Sequence, residues 1–287
     1  MAVRAAVEAL LRERKLDRTL TSTLPERLGE DAVAPLDARA LDRALAGRDG
    51  LQNDAVAGGL PRGQVSEVVG PASSGRTSVA WAALAAASRR GESIALIDTC
   101  DRFDPPTAQA CGIDLSKLLW VRGQAISKTS GAIDPAWLPG VRAVNGPGTF
   151  MERVIDRAIK ALNLVVQSGV CTLVVIDLID LPATALRRLP AATWFRIERA
   201  IENSDTAVMI LAATAVARSA GGRSIVLGEL PASDAAPVKP HAPGVIWSGR
   251  HDRSRRLAGV NTRATITAAR RSDTARVDLT TTLVNAI

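Results

Sequence analysis

Residues 58–78 read Gly58-Gly59-Leu60-Pro61-Arg62-Gly63-Gln64-Val65-Ser66-Glu67-Val68-Val69-Gly70-Pro71-Ala72-Ser73-Ser74-Gly75-Arg76-Thr77-Ser78, an order of residue types that spells turn, buried strand, glycine-bracketed loop and helix start. Gly70 and Gly75 enclose four residues. That spacing lets successive backbone N–H groups curl around a phosphate at a helix opening, where the dipole also favours an anion. A glycine pair alone marks only a loop, and the flanks decide for more. Val65 to Val69 is a short run fit for a central strand, and Ser78–Arg90 is Ala-rich, with basic residues in its last turn and Gly91 as a stop. Thr77 offers a hydroxyl where a Mg²⁺ ligand is wanted. Between Gly75 and Thr77, where a phosphate loop carries Lys as a compact point charge, stands Arg76, which keeps the charge and changes the geometry. Ser73, Ser74 and Ser78 complete the candidate phosphate-binding set.

At 287 residues the chain is long enough to bury a large core, as one large domain or one domain with appendages. Its net charge is +7, and the placement is uneven. Residues 249–276 hold eight Arg against Asp252 and Asp273, a surface for a polyanion or an acidic partner. Arg218 and Arg223 flank a second basic, glycine-rich stretch. Arg218, Arg223, Arg250, Arg253, Arg255 and Arg256 are therefore the candidate DNA or partner contacts; the alternative is a solvated, partly ion-paired face. Only Trp247 lies near the cluster as a stacking aromatic, so any contact with single-stranded DNA is expected to be non-specific. Cys100, Cys111 and Cys171 lack Cys-x-x-Cys spacing and read as buried reduced thiols, with no resident metal site. His241 and His251 read as surface residues. No apolar run approaches the roughly 18 residues that span a bilayer, and the charged N-terminus is unlike an export signal, so the expectation is a cytoplasmic protein with no membrane partner.

In chain order, residues 3–16 form an amphipathic helix that either folds back on the core or docks on a partner. Leu36, Leu41 and Leu45 anchor a short helix. Strands follow at Ser93–Asp98, Leu118–Val121, Cys171–Asp177 and Ala207–Ala213, interleaved with helices at Pro105–Cys111, 151–168 and Pro190–Asn203. This alternation implies parallel β-α-β units with a sheet buried on both faces. Met151, Val154, Ile155, Ala158, Ile159, Leu162, Val165 and Val166 trace one face of the best helix. Cys171–Asp177 is an apolar strand ending in a carboxylate, the form of a Walker B strand. Val245–Trp247, Ala258–Ala269 and Ala275–Thr282 read as closing strands. The expected organisation is a helical arm (1–25), a core (26–228), a mobile Pro-rich loop (229–244), and closing strands with a basic C-terminal segment (245–287).

From about residue 26 to 271 the chain resembles the RecA-like recombinase superfamily. The resemblance is carried by Glu26-Arg27-Leu28-Gly29-Glu30-Asp31, Gly58-Gly59-Leu60-Pro61-x-Gly63, Gly70-Pro71-x-Ser73-Ser74-Gly75-x-Thr77, Asp104-Pro105, Gly112-Ile113-Asp114 and Leu118-Leu119. It implies an α/β fold: a RecA-like P-loop core, a mostly parallel central sheet with helices on both faces, and the N-terminal amphipathic helix as an addition. It also assigns Gly70, Ser73, Ser74, Gly75, Arg76, Thr77, Ser78, Asp104 and Asp177 to nucleotide binding, with Thr77 and Asp177 toward Mg²⁺.

The departures from that pattern fall on residues the family uses to bind or hydrolyse ATP. Arg76 replaces the Walker Lys. Cys100 stands where the family's water-orienting Glu follows Ile97-Asp98, and a thiol needs a strongly depressed pKa to act as that base. Thr107 replaces the Tyr that stacks on adenine, in a chain without Tyr. Ala213-Thr214 replaces the Asn-Gln pair that senses the γ-phosphate. Losing the general base or the phosphate clamp typically costs about a hundredfold or more in rate, so the combined losses leave little turnover. The short core, degenerate Walker A and basic tail are similar to the ImuA (SulA-related) accessory family of bacterial mutagenic translesion synthesis. That likeness implies an ATPase-deficient protein of the SOS response to DNA damage, with RecA and an ImuB-like polymerase homologue as partners. It needs no cofactor and at most binds ATP or ADP with Mg²⁺ weakly. The alternative is a diverged, DNA-stimulated ATPase acting in recombination, in which Asp98 or Asp101 takes the water-orienting role and Arg76 clamps phosphate bidentately.

Overall fold

A computed structural model describes residues 32–47, 58–123, 150–217, 221–228, 244–248, 256–268 and 271–282. The expected N-terminal helix, most of the Pro-rich stretch and Arg218, Arg250, Arg253 and Arg255 lie outside the described residues.

The elements are β1 (Val33–Ala34), α1 (Arg39–Leu45), β2 (Leu60–Pro61), β3 (Val65–Val69), α2 (Arg76–Arg89), β4 (Ile94–Asp98), α3 (Pro105–Ala110), β5 (Leu118–Arg122), α4 (Phe150–Ser168), β6 (Leu173–Asp177), α5 (Ala183–Leu186), α6 (Ala191–Ile201), β7 (Ala207–Ala212), β8 (Arg223–Leu227), β9 (Gly244–Ser248), β10 (Arg256–Ala268) and β11 (Arg271–Thr282). The central sheet runs β11-β10-β8-β3-β7-β6-β4-β5, with β9 also paired to β10. From β8 to β5 every pairing is parallel; β9, β10 and β11 add antiparallel. The fold is thus α/β with a mostly parallel central sheet and helices on both faces. The closing strands extend the same sheet through β10 and β8, where Ala264 lies opposite Leu227.

Parallel strands buried on both faces read as near-continuous apolar runs, and β4, β6 and β7 do so up to their last residues, while β3 buries Ser66 and Glu67 within its run. Alternate side chains divide between two cores. Val68, Ile94, Leu96, Leu173, Val175, Met209 and Leu211 pack toward α1 and α2. Val65, Val69, Ala95, Ile97, Val174, Ile176, Val208 and Ile210 pack toward α4 and α6. The eight residues expected to trace one face of α4 are all buried. Ala fills α2 because it lies flat against the sheet: Ala80, Ala83, Ala86 and Ala87 are each at most 2% exposed.

Two elements depart from expectation. β8 occupies residues expected to end a basic loop and joins β3 to β10. Cys111 is only partly buried, unlike Cys100 and Cys171; all three thiols are free. Among the described residues no helix is long and apolar enough to cross a membrane.

Candidate nucleotide site

The parallel strands β3, β4, β6 and β7 deliver their C-terminal ends to one edge of the sheet, where ligands of such folds bind. β3 runs into the loop Gly70–Gly75, and α2 starts directly at Arg76. Gly70 is required by proximity: a Cβ there would stand 2.3 Å from the Leu227 carbonyl oxygen and 2.7 Å from Ser74 Oγ. Gly75 has φ +95° at the helix N-cap, a left-handed conformation that favours glycine. The hairpin β10–β11 backs the loop, with the Thr262 and Thr281 methyl groups 3.8 and 3.6 Å from where a Gly75 Cβ would be.

Gly70, Ser73, Ser74, Gly75, Arg76, Thr77 and Ser78 therefore come together as the sequence predicts, though they do not all face the same way. Ser73, Thr77 and Ser78 are exposed, whereas Ser74 is fully buried and Arg76 is only 6% exposed. Ser74 Oγ, Arg76 Nη1 and Thr262 Oγ1 are buried with no hydrogen-bond partner. Unpaired buried polar atoms cost about 1–3 kcal/mol each. Three in one place mark a site prepared for a polar ligand. Burial lowers the Arg76 pKa, opposed by the nearby Asp177 and Asp180 carboxylates.

Asp177 ends β6 in register with Asp98 on β4. Burial, reinforced by Asp98 and Asp180 and opposed by the Ile179 N–H and Arg76, pushes its carboxyl up to about 6. A carboxyl raised above its unfolded value of 3.8 is held protonated more tightly in the folded chain. That stabilisation is complete below about pH 4 and is lost as pH rises through 6. Asp177→Asn is expected to match wild type near pH 4 and to exceed it by about 2–3 kcal/mol near pH 7. Urea titrations at both pH values check this, and a variant-minus-wild-type difference that stays constant would refute it.

Cys100 is 6% exposed, and burial, with Asp180 and Asp177 adding repulsion, pushes its thiol up to about 12. It has no capacity to accept a proton from water as a thiolate near neutrality. The carboxylates weighed as replacements are committed elsewhere. Asp98, 2% exposed, accepts the Arg102 and Phe103 backbone N–H groups at 2.8 and 2.9 Å and Trp120 Nε1 at 3.2 Å. Asp101 is held by Arg122 through Nε and Nη2, both at 2.9 Å. Asp104 caps α3 instead of reaching for a base: it accepts the Thr107 N–H at 3.0 Å and the Thr107 hydroxyl. Trp81 meets Phe103 edge-on at 6.2 Å and Phe103 meets Trp120 tilted by 60° at 5.1 Å, with the Arg122 guanidinium 4.6 Å over the Trp120 ring.

Arg223 is not at this edge. It opens β8 at the opposite end of the sheet, where its N–H donates to Ser66 Oγ and its Nε donates to the Leu45 carbonyl at 3.2 Å. Its guanidinium helps lock α1 to the sheet and is not displayed with the P-loop. Arg256 opens β10. Sequence reasoning missed Glu67, Asp180 and Thr262. The signal for Glu67 was present, a lone carboxylate inside an apolar strand.

The RecA N-terminal domain model matches residues 14–129. RecA of Lactobacillus delbrueckii subsp. bulgaricus is 34% identical over 155 residues, 49% of this chain and 43% of that protein. RecA of Staphylococcus carnosus is 30% identical over 190 residues, covering 58% of this chain and 53% of that protein. RecA of Amycolatopsis mediterranei is 47% identical over a shorter stretch of 98 residues, 32% of this chain and 25% of that protein. The chain thus spans about half the length, or less, of the curated relatives it matches. The crystal structure of the RadB recombinase is similar at 16% identity with a TM-score of 0.46, over 85% of this chain and 94% of that one. Over residues 14–129 the chain is thus similar to the RecA N-terminal domain, and it shares about a third of its residues with RecA proteins over roughly half its length.

Proposed function

We propose that this chain is an ATPase-deficient RecA-like accessory protein of the bacterial DNA damage response, acting in mutagenic translesion synthesis beside RecA and an ImuB-like polymerase homologue. The observation that carries this reading is Cys100. By its resemblance to the family, Cys100 falls where the water-orienting carboxylate would stand, and burial pushes its thiol up to about 12, while Asp98 and Asp101 are tied up in hydrogen bonds of their own. A scaffold in which Asp98 and Asp101, among the described residues at this edge, are already hydrogen-bonded is suited to imitating or capping a RecA protomer, and poorly suited to driving a cycle.

The test is ATP turnover by the purified chain, with and without single-stranded DNA, beside Arg76→Ala and Cys100→Glu. The expected result is hydrolysis at background in all three, with retention of RecA or the polymerase homologue on the immobilised protein. Cys100→Glu alone is expected to restore nothing, because Arg76 and Thr107 remain. DNA-stimulated turnover abolished by Arg76→Ala would sink the reading and favour the recombination ATPase. Any grip of the basic C-terminal segment on DNA weakens steeply with salt, about one power of salt concentration for each phosphate neutralised.

A further inference from the structure

The phosphate loop and the metal that usually accompanies it make different demands, and this site meets only the first. Three buried polar groups, Ser74 Oγ, Arg76 Nη1 and Thr262 Oγ1, have no partner within the protein. They lie on the loop, on the first residue of α2 and on the hairpin strand behind Gly75. A guanidinium and two hydroxyls around a helix N-terminus form a donor set for anionic oxygen.

The divalent cation fits poorly. Thr77 is exposed, and the carboxylates that would complete its shell are already engaged. Asp177 accepts the Ile179 N–H at 2.9 Å, Asp180 pairs with Arg102 at 2.9 Å, and Asp98 accepts three N–H donors. Among the described residues no group of three or more His, Cys, Asp or Glu is arranged to hold a metal ion. Arg76, meanwhile, is buried within electrostatic reach of Asp177 and Asp180.

We propose that Arg76 is the site's built-in cation, standing between the Walker B carboxylate and a bound polyphosphate, so that this loop takes a nucleoside diphosphate or pyrophosphate without a divalent metal. A fixed guanidinium supplies one positive charge and planar donors at no cost of metal dehydration. Base recognition is weak by construction, since Thr107 is exposed and its hydroxyl and N–H serve Asp104. The ligand is therefore selected by its phosphates. This inference rests on the reading that the phosphate loop still binds nucleotide.

The experiment is calorimetric titration of the full chain with ADP, GDP and inorganic pyrophosphate, each in EDTA and in millimolar Mg²⁺. The expected result is binding in EDTA, a change of less than about threefold on adding Mg²⁺, and ADP and GDP affinities within about threefold of each other. Arg76→Ala is expected to weaken ADP by about tenfold or more, and Arg76→Lys to make the remaining binding Mg²⁺-dependent. A gain of about tenfold or more from Mg²⁺ in the native chain overturns the proposal, as does absence of binding at millimolar ligand or an Arg76→Ala variant with unchanged affinity. If Arg76→Ala fails to fold, the EDTA and Mg²⁺ titrations of the native chain decide alone. Mg²⁺-dependent binding without turnover removes this inference and leaves the accessory reading standing; Mg²⁺-dependent turnover removes both.

Discussion

Glu67→Ala is expected to lower the unfolding free energy by roughly 3–5 kcal/mol and to release the loop after β7. Glu67 sits mid-strand in β3 and is 6% exposed. Its Oε2 accepts the Val216 and Ala217 backbone N–H groups at 2.9 and 3.2 Å, and its Oε1 accepts the Ser224 hydroxyl at 3.1 Å. Alanine leaves the buried Ala217 amide, the part-buried Val216 amide and the part-buried Ser224 hydroxyl without an acceptor, which is the costly half of breaking a hydrogen bond. Glu67→Gln keeps one carbonyl oxygen and is expected to cost about half as much. Urea titration gives the magnitude, and hydrogen exchange at Val216 and Ala217 gives the location. A loss below about 1 kcal/mol, with both amides still protected, would mean that the loop is held by something else. The loop that follows β7 is tied to the central strand β3 through the Val216 and Ala217 amides.

The sheet was legible because parallel strands are continuous apolar runs. Val65–Val69, Ser93–Asp98, Cys171–Asp177 and Ala207–Ala213 each declare themselves, and α4 declares itself by a stripe of eight residues that all prove buried. β8 was not legible. Arg223-Ser224-Ile225-Val226-Leu227 follows a Gly pair and starts polar, and only pairing to both β3 and β10 makes it a strand. The glycine-bracketed loop between β3 and α2 was readable from spacing, but the burial of Arg76 was not. Asp177 and Asp180 lie far along the chain and reach it only because β6 and β3 end at the same edge. For the same reason Arg223, which looks like part of a basic loop, ends on the Leu45 carbonyl at the other end of the sheet. Local charge is written in the sequence, whereas its partner is set by topology.

Cys100 is expected to resist alkylation by iodoacetamide in the native protein by about 10³–10⁴-fold at pH 8 relative to the urea-unfolded chain. The thiolate is the reacting species, and a thiol pushed up to about 12 is ionised to roughly one part in 10⁴ at that pH, against about a quarter for an ordinary thiol of pKa near 8.5. Burial at 6% exposure adds a steric barrier. Cys111, partly buried, is expected to react first among the three, with peptide mapping to assign each site. The result discriminates between mechanisms. If native Cys100 instead alkylates at a rate near that of the unfolded chain, the position carries a thiolate able to accept a proton or attack a phosphoryl group, and the reading of this site as catalytically silent fails. Slow labelling joined to rapid ATP turnover would leave Cys100 inert and require another base, and every carboxylate near it is already hydrogen-bonded within the protein. Slow labelling joined to no turnover is what a scaffold predicts when the start of α2 buries a positive charge and the turn after β4 buries a protonated thiol.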